Sequence, residues 1–139
     1  LHRIGRGQNG REHTYSCPRG SPMRIMQSVP FDEAETYEPE AGWRRVAMAG
    51  SEQFSFEWFE KPPGHASPMH HHENEQVCLV TEGELTVVFE EDEVTLGPYD
   101  SVLIESGEPH RAENTGDVRA VGVDAFAPGR SFDFWLDRD

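Results

Sequence analysis

Residues 64–83 read GHASPMHHHENEQVCLVTEG, and they place a histidine cluster directly before a run with the apolar pattern of a β-strand. In an extended chain, side chains two residues apart share a face, so His70 and His72 point the same way and His71 points away. Gln76 has the same parity as that histidine pair. A histidine run alone does not establish a metal site. The rest of the chain must also supply a further ligand and a scaffold that brings it close.

The segments around this cluster predict a series of short β-strands. They are rich in Val, Leu, Ile or Phe and comprise EQFSFEWFE (52–60), ELTVVFEEDEVTL (84–96), DSVLIESGEPH (100–110) and VRAVGVDAF (118–126). The first of them alternates, with Phe54, Phe56 and Trp58 on one side. Glycine and proline separate the segments, and no helical period of any length is present. This pattern predicts an all-β, antiparallel sandwich or barrel.

The spacing around the histidines resembles the first of the two cupin motifs. It reads Gly64-x5-His70-x-His72-x3-Gln76-x6-Gly83, with Gln76 where the family usually has glutamate. The second motif follows as Gly97-x2-Asp100 and Gly107-x2-His110-x3-Asn114, with Tyr99 and Glu105 in place of the usual Gly and Pro. The resemblance spans roughly residues 43–126. It implies a single cupin jelly-roll β-barrel with its core at about 43–127.

The residue types at these positions also suit a metal ion. Neutral imidazole nitrogens are good ligands for divalent Fe, Ni, Mn, Co, Cu or Zn. The mouth of a barrel could bring His110, 34 residues after Gln76, against His70 and His72. We therefore expect one divalent transition metal held by His70, His72, Gln76 and His110, with one or two coordination positions left for water or substrate. The alternatives are exposed polar side chains or a metal-free binding cup.

A glutamine at this ligand position affects the chemistry that the ion could perform. A carboxylate would partly neutralise the ion, whereas a neutral amide leaves its charge available to the substrate, which favours Lewis-acid catalysis. The amide also removes the two-histidine, one-carboxylate arrangement of many iron oxygenases, unless Glu73 or Glu75 reaches inward through a shifted register. We expect His65 and His71 to lie outside the ligand set.

The end of the last predicted strand, VGVDAFAPGR (121–130), carries candidate catalytic residues. Asp124 and Phe126 share the face that should line the cup, and Arg130 follows near the barrel mouth. An aspartate can act as acid or base, a phenylalanine can stack on a ring, and an arginine can bind a carboxylate through paired hydrogen bonds. The alternative is that Phe126 belongs to the core and Arg130 pairs with a surface acid.

This ending, Asp-x-Phe-x-Pro-x-Arg, together with HHHENEQ, resembles the small pectin-degradation cupins of the KdgF type. The resemblance implies linearisation of 4,5-unsaturated uronate monosaccharides to open-chain keto forms. It implies metal ligands at His70, His72, His110 and Gln76, and an acid, an aromatic residue and an arginine at Asp124, Phe126 and Arg130. Two other functions stay open: a cupin dioxygenase with a three-histidine iron or nickel site, and a non-catalytic cupin that binds a small ligand.

Composition restricts the partners of the protein. The chain has 139 residues, 35% of them hydrophobic, which predicts one domain with a real core. The formal net charge of −14 argues against nucleic acid and anionic membranes as partners and resembles the acidic surfaces of halophile proteins. We expect the ligand to be a small molecule, namely a carboxylate-bearing sugar. We also expect the protein to form a homodimer. Residues 31–45 could contribute to the dimer contact or pack on the barrel.

The first 22 residues differ from the rest, since they carry four arginines and one acid and lack periodicity. We expect residues 1–22 to be a disordered or miscalled extension, with Met23 as the natural first residue and 23–139 as the cupin domain. Cys17 and Cys78 are too far apart in sequence to form a disulfide framework, and Cys78 should be a buried thiol. No apolar run is long enough for a membrane span or signal peptide, which predicts a cytoplasmic protein.

Overall fold

The computed structural model describes residues 11–15 and 24–136, which lie mostly in β-strands and the turns between them. The strands are β1 (Arg11–Tyr15), β2 (Arg24–Ser28), β3 (Thr36–Glu40), β4 (Trp43–Gly50), β5 (Ser55–Lys61), β6 (Glu75–Glu82), β7 (Leu85–Phe89), β8 (Glu93–Leu96), β9 (Ser101–Ile104), β10 (His110–Glu113) and β11 (Ala120–Ala127). A 3-10 turn spans Phe31–Glu33, and a short helix, α1, spans Asp133–Leu136. Among the described residues, no helix is long and apolar enough to cross a membrane.

Two antiparallel sheets form the barrel. The larger has the order β3-β4-β5-β11-β6-β9, and the smaller has the order β10-β7-β8. From β6 onward the chain crosses repeatedly between them, since β7 and β8 join the small sheet, β9 the large one, β10 the small one and β11 the large one. This crossing is typical of a jelly roll. The predicted all-β, antiparallel jelly-roll fold is confirmed.

The segment expected to be a disordered extension contains one described strand. β1 pairs antiparallel with β2, from Arg11 opposite Ser28 to Tyr15 opposite Arg24. This strand is defined by its backbone pairing with β2. The sequence of the segment has no apolar alternation that would predict a strand. Residues 1–10 and 16–23 lie outside the described residues, so the prediction for them stays a prediction.

The apolar core lies between the two sheets. Its buried members are Phe59, Cys78, Val80, Leu85, Val87, Leu96, Ile104 and Ala120. The inward-facing side chains of β6 change along the strand from polar to apolar, in the order Gln76, Cys78 and Val80. Polar groups therefore gather inside the barrel near the start of β6. Cys78 is buried, as predicted, and burial raises the pKa of its thiol; Cys17 is not among the described residues.

The buried face of strand β5 is mostly polar. Ser55, Glu57, Phe59 and Lys61 alternate on the buried face, whereas Phe56 is exposed. A strand that borders a core normally buries its apolar face, because burial of charge without a partner is unfavourable. The inward acid of β5 is compensated by two buried arginines, one on β4 and one in the segment after β11, and this arrangement forms part of the site described next.

Candidate metal centre

Three histidines converge inside the barrel, as the sequence predicts. Their ligand-type nitrogen atoms all lie within 4.8 Å of one another. His110 begins β10, and its backbone forms two 2.9 Å hydrogen bonds with the backbone of His70. His72 follows in the turn before β6, and its ring centroid lies 4.9 Å from that of His110. The strand pairing and this turn therefore bring the two motifs together.

Each of the three rings is held by a main-chain oxygen two residues away. The Nδ1 atoms of His70, His72 and His110 lie 2.9, 2.9 and 2.7 Å from the carbonyl oxygens of Pro68, Asn74 and Glu108. A carbonyl oxygen only accepts hydrogen bonds, so each Nδ1 donates and the neutral ring carries its lone pair on Nε2. This tautomer is the one that binds metals through Nε2, with a second partner fixing the ring.

Burial keeps the imidazoles of His72 and His110 neutral. It lowers the pKa of His72 to about 4, and the charge of Arg130 adds to the shift. Burial also lowers the pKa of His110. A metal ligand must be unprotonated, so both rings are ready to bind an ion at neutral pH.

Two further observations test whether these residues fit a divalent ion. The Nε2 atom of His110 is buried and has no hydrogen-bond partner among the described residues. The Nε2 atom of His72 lies 3.1 Å from Oε1 of Gln76, although both atoms carry lone pairs in the tautomer given above. Two ligand atoms about 2.1 Å from one ion and at right angles to each other would be about 3 Å apart. The donor set therefore fits a divalent transition metal.

Gln76 is oriented by an aspartate from the neighbouring strand. Its Nε2 donates a 2.9 Å hydrogen bond to Oδ1 of Asp124, so its Oε1 faces His72. The other carboxylate oxygen, Oδ2, accepts a 2.6 Å hydrogen bond from Arg45. A carboxylate that accepts on both sides fixes which end of the amide points at the histidines. Asp124, predicted as a catalytic acid or base, thus also positions a ligand.

A buried ion-pair network continues from Asp124 across the barrel. Arg45 donates to Glu57 at 2.6 Å, and Arg130 donates to the same carboxylate at 2.9 Å. Burial alone would raise the pKa of Glu57, but the two guanidinium groups hold it below its usual value. The sequence analysis missed Arg45 and Glu57, because neither lies in a motif. Their only signal is that Glu57 has the same strand parity as buried Phe59.

The predicted catalytic residues Phe126 and Arg130 stack on each other. The Arg130 guanidinium carbon lies 3.7 Å from the centroid of the Phe126 ring and 4.6 Å from that of Phe134. Phe126 is only 1% exposed, and its ring also contacts His72. Arg130 therefore covers the ring that was expected to stack on a ligand. Both proposed ligand contacts stay predictions.

A cavity connects these groups. Its polar lining residues are Arg45, Lys61, Ser67, His70, Gln76, His110, Asp124 and Arg130. Trp43, Phe59 and Leu85 contribute to the apolar part of the wall. Small-molecule sites typically combine such an apolar wall with a few convergent polar groups.

The remaining acids and histidines near the cluster lie outside the cavity. His71 is exposed, as predicted, and so are Glu73 and Glu75. The register does not shift, and neither glutamate reaches the histidines. His65 pairs with Glu40 on the far side of the site.

Comparison with known proteins agrees with this architecture. The cupin domain family matches residues 57–126, which is 70 of the 139 residues. No curated protein matches the chain.

Several solved structures have the same fold. An RmlC-like cupin from Shewanella frigidimarina is 22% identical, with a TM-score of 0.69 over 77% of this chain and 94% of that one. KdgF from Halomonas sp. is 23% identical, with a TM-score of 0.68 over 77% and 98%. A sugar phosphate isomerase of the cupin superfamily from Silicibacter pomeroyi is 22% identical, with a TM-score of 0.62 over 75% and 76%. At these identities the likeness concerns the fold. With both motifs in place and half of the chain matched, the protein belongs to the cupin family.

Proposed function

We propose that this protein is a metal-dependent cupin that opens the ring of a 4,5-unsaturated uronate, as cupins of the KdgF type do. The observation that carries the proposal is the donor set: three imidazoles and an amide oxygen that Asp124 turns toward them. All four ligands are neutral, so an ion bound there would keep its full charge for an anionic substrate.

The charge of the cavity wall supports an acidic ligand. Arg45, Arg130 and Lys61 line the cavity together with one carboxylate, that of Asp124, and Glu57 pairs with the two arginines outside the lining. The chain as a whole carries a net charge of −14. The rest of this acidic protein repels a carboxylate. The cavity has a balanced or positive interior, and a bound divalent ion would make it more positive, so the cavity attracts a carboxylate.

The proposed reaction is an isomerisation, so no atom is gained or lost. The anomeric hydroxyl loses a proton, the ring C–O bond breaks to leave an aldehyde and an enol, and the enol becomes a ketone by taking a proton on carbon. A divalent ion bound by the histidines would supply Lewis-acid polarisation of a substrate oxygen. Asp124 moves the proton, and Arg130 binds the carboxylate, each within reach of the cavity. Proton transfer of this kind typically contributes roughly 10²- to 10⁴-fold in rate.

The test follows unsaturated galacturonate by NMR with metal-loaded protein, with metal content measured in parallel. We expect Asp124→Asn to abolish turnover and retain the metal, and His110→Ala to lose both. His71→Ala is the matched control, because it removes an exposed histidine from the same run and should change neither. Normal turnover by Asp124→Asn would contradict the assignment of the proton-transfer residue.

The cluster of three histidines also supports a second candidate, a dioxygenase with a three-histidine metal site, in which no carboxylate from Glu73 or Glu75 takes part. Oxygen consumption in the presence of an enol, catechol, thiol or flavonol would support it over the isomerase. Tight ligand binding without any turnover would instead support a non-catalytic binding cupin.

We also propose that two copies pair through the outer face of the large sheet. Phe56, Ala125, Val77 and Leu103 are successive register partners across β5, β11, β6 and β9. Phe56, Val77 and Leu103 are 37%, 41% and 52% exposed. A continuous apolar row of this kind on a monomer usually marks an interaction surface.

A further inference from the structure

The only lysine of the chain lies inside the barrel. Lys61 is the single lysine among 12 basic residues, and its side chain is 1% exposed. Lysine is almost never fully buried unless it is paired, because its ammonium group is strongly hydrated. Lys61 is the last residue of β5, and at this buried position its ammonium group requires an ion-pair or hydrogen-bond partner.

Among the described residues the amine has no hydrogen-bonding partner. Its Nζ lies 3.9 Å from the ring centroid of Trp43 and has no hydrogen-bond partner in the part of the chain that the structure describes. Burial lowers the pKa of Lys61 to about 7, and the positive charge of Arg45 adds to the shift. A buried donor that is left unsatisfied destabilises the folded protein. Because Lys61 lines the same cavity as the histidines, the missing partner can come from a ligand.

Strand register places Lys61 and the metal ligands toward opposite ends of that cavity. Lys61 pairs with Ala120 of β11, whereas Gln76 pairs with Phe126 of the same strand. Six residues of strand separate the two pairs, which is about 20 Å along the backbone. Lys61 and Gln76 nevertheless line the same cavity, so one ligand bound there can contact both side chains.

We propose that Lys61 binds the end of the substrate that lies away from the histidines, by donating hydrogen bonds from its amine to a hydroxyl or carboxylate oxygen. The ligand class is then a small organic acid with oxygen atoms at both ends, such as a uronate. This inference rests on the proposed function for the position of the ligand. It adds a second contact point, which sets the length and the oxygen pattern of the molecules that the cavity accepts.

The first test measures binding by calorimetry to metal-loaded wild type and to Lys61→Met, which keeps the bulk of the side chain and removes the amine. D-galacturonate is the probe, and glycolate is the control probe, since it can reach the metal but not Lys61. Loss of a hydrogen bond to a charged group should weaken galacturonate binding roughly tenfold or more. Glycolate affinity and metal content should stay unchanged.

The second test uses wild-type protein only and does not depend on the folding of a variant. The amines of the full chain are Lys61 and the N-terminus, so reductive methylation with formaldehyde and cyanoborohydride can modify only these two. We expect galacturonate, and not glycolate, to slow methylation at Lys61, while modification of the N-terminus serves as the internal control.

Equal galacturonate affinity in wild type and Lys61→Met, or no protection of Lys61, would overturn the contact. Equal weakening of both probes would also overturn it, because that result means a structural role. Failure of wild type to bind galacturonate would overturn the ligand class. If binding and protection depend on Lys61 but unsaturated galacturonate is not turned over, only the proposed reaction fails.

Discussion

Glu57 and Lys61 lie on the buried face of one strand, with Phe59 between them, and their surroundings differ. Glu57 receives two guanidinium groups and stays ionised. Lys61 has only the face of Trp43 and the cavity beside it. Glu57 therefore stabilises the fold through its ion pairs, whereas the burial of Lys61 lowers the free energy of unfolding. Their titration and their removal should differ accordingly.

A protein that contains one lysine gives a direct readout of its protonation. In protein labelled with [13C]lysine, we expect a single side-chain resonance that titrates near pH 7, because burial and Arg45 lower the pKa to about 7 from the usual 10.5. The measurement is a pH titration by 13C NMR. A midpoint above pH 9 would contradict the burial of the amine.

The same shift predicts how stability depends on pH. Between pH 7 and pH 10.5 the unfolded chain holds a proton on Lys61 that the folded chain has released, so the free energy of unfolding rises with pH in this window. Lys61→Met lacks this contribution. The stability of wild type relative to the variant should therefore increase from pH 7 to pH 10.5, as measured by urea unfolding.

Removal of the charge at Glu57 should be strongly destabilising. Glu57→Gln leaves the buried guanidinium groups of Arg45 and Arg130 close together without their shared carboxylate. Breaking a buried ion pair in this way costs about 3–5 kcal/mol. Glu75→Gln, at an exposed position, is the control and should change the free energy of unfolding by less than about 0.5 kcal/mol. Equal free energies of unfolding for both variants in urea titrations would show that the ion pairs of Glu57 do not stabilise the fold.

At the scale of elements, strand parity explains which predictions succeeded. His70, His72 and Gln76 lie together as strand parity predicts, although a bend at residues 73–74 separates His72 from β6. The same alternation separates the two faces of β5, but it does not say which one is buried. Glu57 is compensated by arginines 12 and 73 residues away, so the polar face turns inward for a reason that no local window contains. The role of Arg45 and the burial of Lys61 escape sequence analysis for the same reason.

The turn between β6 and β7 depends on a motif glycine in two separable ways. Gly83 has a φ of +77°, and a Cβ added there would lie 2.4 Å from the carbonyl oxygen of Arg119. Gly64 has a similar φ of +80°, but a Cβ there would meet nothing within 4 Å. Left-handed conformation costs a non-glycine residue about 1–2 kcal/mol at either position.

We therefore expect Gly83→Ala to lower the free energy of unfolding clearly more than Gly64→Ala, because only the former adds a clash with backbone. Thermal and urea unfolding of the two variants measure the difference. Equal destabilisation would mean that the backbone near Arg119 moves freely to accept the methyl group.

At the scale of the whole molecule, charge and apolar surface act in opposite directions on self-association. Each copy carries a net charge of −14, so two copies repel each other, while the row that contains Phe56, Val77 and Leu103 favours contact. Salt screens the repulsion and leaves the apolar contact in place. A dimer formed through this face should therefore become tighter as salt increases.

Light scattering after size-exclusion chromatography checks the dimer. We expect wild type at twice the mass of one chain, and Leu103→Glu at the mass of a single chain with its metal content unchanged. Val118→Glu is the matched control, since Val118 is 60% exposed but lies outside the row. A dimer that survives Leu103→Glu, or one that is lost in Val118→Glu, would place the contact elsewhere.

The main-chain anchors of the three imidazoles have a consequence for how the protein would take up the proposed metal ion. Because Pro68, Asn74 and Glu108 fix the rings through their carbonyl groups, the coordination geometry belongs to the polypeptide and exists before any cation arrives. Chelation should leave a folded apoprotein that can be reloaded with one transition element after another. The element found in a given preparation would then reflect the growth medium, with the relative affinities following the Irving–Williams order.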